Sequence, residues 1–122
     1  MPGKKFGVTV RRLRERRLKS DDRFTLRKFA TTVGVSPTYL CKVEKGDFPP
    51  PSEERIISIA KGLGEDPDKL LALAGKVDPE LIRIILKRPQ VMPGLIRTIG
   101  KMNGKELTKL LRSIERVSRE KD

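Results

Sequence analysis

Histidine is absent from the 122 residues and Cys41 is the only cysteine. Without imidazole or a second thiol there is no disulfide framework, no Cys/His zinc site, and no Ser-His-Asp or Cys-His nucleophile relay. Glycine-rich phosphate loops and metal-ligand clusters are missing too, so neither a cofactor nor a metal is expected and catalysis would fall to lone carboxylates or lysines. No apolar run approaches the roughly 18 residues needed to span a bilayer; Leu70-Leu71-Ala72-Leu73-Ala74 is cut at Gly75. One thiol gives no sign of an oxidised, secreted protein, and Met1-Pro2-Gly3-Lys4-Lys5 leads into mixed sequence rather than an apolar signal core. These features predict a cytoplasmic chain, not inserted in a membrane.

Negative charge is also short. Lys and Arg number 28 against 16 Asp and Glu, a formal charge of +12, and the partner that best explains it is a polyanion: nucleic acid first, an anionic membrane surface second. Leu, Ile, Val and Phe make up 35 of the 122 residues, enough for a modest globular core in one small domain plus an appendage. The charge is uneven. Residues 1–20 carry +7, 21–50 carry +1, 51–75 carry −2 and 76–122 carry +6. The ends are cationic, and the basic arm with Lys4, Lys5, Arg11 and Arg12 is either a solubilising tail or a contact to the minor groove or to phosphate, its charge being excessive for solubility alone.

Apolar residues recur at three and four, and no alternating run is framed by a hairpin turn, so the fold is predicted to be all-α. A first helix is expected over roughly 9–19, with a polar turn at 19–23. Thr25 caps a helix through Val33 that buries Leu26, Phe29, Ala30 and Val33 and ends at Gly34. Ser36-Pro37 starts a short helix running to Lys45 and stopping at Gly46. After the stiff connector Phe48-Pro49-Pro50-Pro51, Ser52 starts a helix striped by Ile56, Ile57, Ile59, Ala60 and Leu63. Asp66-Pro67 starts one ending at Gly75, and Asp78-Pro79 one ending near Pro89. Leu95, Ile96 and Ile99 mark a short helix before Gly100. Leu107, Leu110, Leu111, Ile114 and Val117 stripe a last one, flanked by Lys109, Arg112, Arg116 and Arg119. That stripe either packs on its own domain or meets another chain. These elements predict one domain over residues 1–75 and a helical extension over 76–122 for dimerisation or partner binding.

The helices at 25–33 and 36–45 are joined too tightly to lie antiparallel, which is the helix-turn-helix arrangement. Ala30 is small where they approach, Gly34 tolerates a positive backbone angle, and Val33, Val35, Leu40 and Val43 supply the shared core. Cys41 is expected to fill space beside that core. The run from Leu26 to Gly46, with Pro50, Ser52 and Ile59-Ala60-Lys61-Gly62-Leu63-Gly64 after it, resembles the Cro/CI-type regulators, the xenobiotic-response-element family. The resemblance spans about residues 8–75 and implies a five-helix, lambda-repressor-like DNA-binding domain with additional C-terminal helices.

That resemblance makes 36–45 the recognition helix, its start in the major groove. It places Pro37, Thr38 and Lys42 where members of the family touch base edges and Tyr39 at or beside backbone-contact positions, and Ser36 and Lys45, at the two ends of the helix, are expected to bind DNA with them. Lys42 can donate to guanine N7 and O6, Thr38 can bond or touch a thymine methyl, and Tyr39 can donate to a phosphate, whereas Pro37 offers no donor. Arg27 and the free amides after Thr25 suit a phosphate. The family's acidic position falls on Glu44, with Arg14 as its arginine. Two departures stand out: the connection from Arg14 to Phe24 is a few residues longer than usual, and Lys28 occupies a capping-box position where an acid is common. The resemblance implies a dimeric repressor or activator on double-stranded DNA, in the cytoplasm and associated with the nucleoid. A rival is an antitoxin-type interaction protein whose residues 76–122 hold a protein partner while the first domain autoregulates.

Overall fold

Burial of a few large side chains decides where the first helix begins. In the computed structural model, which describes residues 2–121, helix α1 spans Pro2–Leu18, seven residues ahead of the start expected at Thr9. Gly3 and Gly7 each cost about 1 kcal/mol in a helix relative to Ala. Full burial of Phe6, together with Val10 on the next turn, contributes about 1.5–3 kcal/mol per side chain and outweighs them. The expected basic arm is therefore helical, and Lys4, Lys5, Arg11 and Arg12 ride on the exposed part of α1.

Phe6, Val10 and Leu13 are all buried and share one helix face. Gly7, beside them, lies against the backbone of the helix Pro37–Lys45: a Cβ there would collide with the carbonyl oxygens of Val43 and Glu44. The segment expected as a polar turn tightens into a 3-10 turn over Asp22–Phe24. It is capped by Asp21, whose carboxylate accepts from Arg23 N and Nε. The Arg23 side chain holds the Asp21 carboxyl down to about 2. Phe24 turns inward, stacks on Phe29 at 5.6 Å and carries the Arg17 guanidinium on its ring.

Helices α2 (Leu26–Val33), α3 (Pro37–Lys45), α4 (Glu53–Leu63) and α5 (Pro67–Leu73) follow. α2, α3 and α4 begin and end where their caps lie. Thr25, Ser36 and Ser52 hydroxyls accept from Lys28, Tyr39 and Arg55 N, satisfying amides that the first turn leaves without partners. α5 stops at Leu73, two residues before the Gly75 expected to end it. The core gathers Phe29, Ala30 and Val33 from α2, Leu40 and Val43 from α3, Ile56, Ile59, Ala60 and Leu63 from α4, and Leu70 and Leu71 from α5.

The chain divides into two compact units, residues 1–78 and 79–122. The second contains α6 (Pro79–Lys87), α7 (Met92–Ile99) and α8 (Gly104–Lys121). Asn103 and Glu106 open α8 with a reciprocal cap, each side chain accepting from the other's backbone N–H. From residue 79 to 120 no side chain is buried. The described residues are helical and include no strand, and no helix among them is long and apolar enough to cross a membrane.

Candidate nucleic-acid interface

The turn between α2 and α3 is set by Gly34, whose φ of +79° is a left-handed conformation that side chains with a Cβ resist. Its N–H and that of Val35 bond back to Thr31 and Ala30 carbonyls. The pair is held further by α4: Arg55 Nη1 donates to the Val33 carbonyl at 2.6 Å. Ala30 is fully buried, and Val33, Leu40 and Val43 are buried with it. The spatial relation of α2 to α3 thus rests on close packing and a donated hydrogen bond rather than on α2 and α3 alone.

From the other side, α3 is tied to α1 by an ion pair. Arg14 Nε and Nη2 donate to the two Glu44 oxygens at 2.7 and 2.9 Å, and Nη1 donates to the Phe24 carbonyl at 3.0 Å. Both side chains are buried, so their charges are withdrawn from water and each depends on the other. The hydrogen bond to Glu44 raises the Arg14 pKa against the opposing effect of burial. The long connection from Arg14 to Phe24 is accommodated by the 3-10 turn, which brings the Phe24 carbonyl back to the guanidinium. Lys28, in place of a capping acid, leaves the Thr25 cap intact and sets its ammonium 3.5 Å from Asp22.

Held this way, α3 exposes Thr38, Lys42 and Lys45. Their spacing of four and three residues aligns them on one helical face. Pro37 is half-buried at the first turn, and the exposed Ser36 uses its hydroxyl as the cap. Tyr39 is half-buried against the core, its ring 5.8 Å from that of Phe48. Cys41 is half-exposed, next to the outer face rather than sealed behind it. Arg27 is exposed on the first turn of α2 and the Thr25 hydroxyl serves as its N-cap.

Two side chains of this region were not singled out by sequence reasoning. Phe48 lies under the Lys42 ammonium, 5.9 Å from ring centre to Nζ, so an aromatic residue of the connector steadies a cation exposed on α3; such contacts at exposed sites contribute about 0.5–1 kcal/mol. Its signal was an aromatic residue directly before three prolines. Arg55 had no local signal, because its partner Val33 lies 22 residues away.

Two short capped helices, a glycine turn between them, and an outward face on the second define a helix-turn-helix protein. The chain belongs to the helix-turn-helix domain family, whose model matches residues 5–73. No curated protein and no solved structure matches it. Family membership supports a DNA-binding regulator, and the face that α3 leaves open has donors of the kind that bind bases and phosphates. Among the described residues no group of three or more acidic or cysteine side chains is gathered where it could hold a metal ion.

Proposed function

We propose that this protein is a sequence-specific, double-stranded-DNA-binding transcriptional regulator of the Cro/CI type, with no catalytic role, acting on the nucleoid. The observation that carries the reading is the outer face of α3. Thr38, Lys42 and Lys45 point away from a core to which α3 is tied by the Arg14–Glu44 pair, while Arg55 holds the end of α2 just before the turn. Lys42 reads a guanine edge, Thr38 a neighbouring base, and Tyr39, Arg27 and the amides at the starts of α2 and α3 hold phosphates. Ser36 and Thr25 act through the amides they order, and Pro37 shapes the helix start or presses on a methyl group.

The regulator works as a homodimer with its half-sites about one helical turn, roughly 34 Å, apart. The second unit supplies the contact: Leu111, Ile114 and Val117 of α8 are about half exposed or more, as are Leu86 and Val91. A second reading, the antitoxin-type interaction protein, draws on the same uncovered side chains and assigns them to a different protein. Selection of bound duplexes from a random pool, run with the full chain and with Lys42→Ala, tests the first reading. Wild type enriches one motif, and the variant loses preference at one base step, where a good contact discriminates by about 1–3 kcal/mol. A pool that stays random with the wild-type chain overturns the proposal.

A further inference from the structure

The exposed side of α1 forms an open groove with the C-terminal end of α3, lined among others by Arg12, Arg16, Lys19 and Lys45. Its two carboxylates are already engaged, Glu15 by Arg11 at 3.3 Å and Glu44 by Arg14. Among the described residues none of those four cations has a carboxylate within ion-pairing distance. We propose that this groove is a second phosphate-binding track, separate from the base-reading face, which holds the backbone of the duplex beside the segment read by α3. The inference rests on the duplex-binding reading and extends it to residues outside the helix-turn-helix.

The fit is one of shape, spacing and continuity. Arg12, Arg16 and Lys19 follow one another at four and three residues and form a single row about 10 Å long. A DNA strand carries one phosphate about every 3.4 Å of helix axis, so a row laid along that axis spans about three of them. The groove is open along its length, which suits a polymer better than a compact anion. Lys45 belongs both to this groove and to the outer face of α3, so a backbone entering the groove is continuous with the duplex at the recognition helix. The positive charge of the first 20 residues, excessive for solubility alone, thereby acquires a use.

The test is fluorescence anisotropy of the full chain on a mixed-sequence duplex of about three helical turns, titrated at several salt concentrations. Mixed sequence makes the readout independent of base discrimination. Arg12→Ala/Arg16→Ala is compared with Lys61→Ala/Lys69→Ala, which removes the same charge from exposed positions of α4 and α5. Every phosphate that the protein no longer neutralises lowers the slope of log K against log salt by about 0.9. The groove variant is expected to flatten the slope by about 1.8, Arg12→Lys/Arg16→Lys to restore it, and the control to leave it unchanged. An unchanged slope in the groove variant, or an equal fall in the control, overturns the proposal. Failure of the duplex-selection experiment with this result intact would instead discard base reading by α3 and leave the groove standing.

Discussion

At the scale of single residues, the buried Arg14–Glu44 pair carries the most consequence. Glu44 accepts both guanidinium bonds, and the same guanidinium bonds the Phe24 carbonyl, so one side chain joins α1, the 3-10 turn and α3. Glu44→Ala leaves a desolvated cation unmatched and is expected to cost about 3–5 kcal/mol, read as a lowered urea midpoint. Arg14→Met/Glu44→Leu, which removes both charges, should cost much less than the sum of the single variants. Equal, additive losses would mean that the two side chains do not depend on each other. This pair was legible in the sequence because Glu44 and Arg14 matched a pattern spread over the whole domain. Phe48 and Arg55 were not. Their contacts, with Lys42 and with the Val33 carbonyl, depend on how the connector and α4 are placed in space, which local spacing does not encode.

At the scale of elements, α2 and α3 were readable at both ends and α4 at its start. Thr25, Ser36 and Ser52 cap the starts, and Gly34, Gly46 and Gly64 close the ends; caps are local chemistry, visible in a short window. α1 was not readable at its start, since Gly3 and Gly7 weaken a helix until the burial of Phe6 and the close crossing with α3 are known. Gly7→Ala tests that crossing. Alanine favours the helix by about 1 kcal/mol, yet its Cβ meets backbone oxygens of Val43 and Glu44 that have little room to move, and overpacking of this kind costs about 1–3 kcal/mol. The expected outcome is a net loss of stability in urea denaturation. Gly3→Ala, where the added Cβ finds ordinary contact distances, should be neutral or stabilising; a Gly7→Ala chain as stable as wild type would contradict the close approach.

At the scale of the molecule, the two compact units differ in kind. The first has a continuous core from Phe6 to Ala74, whereas residues 79–120 bury no side chain. The amphipathic stripe of α8 was legible from its spacing, but its partner was not, because periodicity identifies an apolar face without identifying what covers it. Light scattering should give twice the chain mass for wild type. Ile114→Glu/Val117→Glu places charges on the exposed stripe and should halve that mass without changing the first unit's melting. A monomeric wild type would remove the homodimer and favour a different protein as partner. Whether the outward side chains of α3 read base edges is decided by competition of selected against mixed-sequence duplex for wild type and Lys42→Ala at fixed salt. The variant should keep most of its affinity for mixed sequence and lose about 10-fold or more of its preference for the selected duplex, the equivalent of about 1.4 kcal/mol. Equal weakening on both duplexes would contradict base reading and make Lys42 a backbone contact.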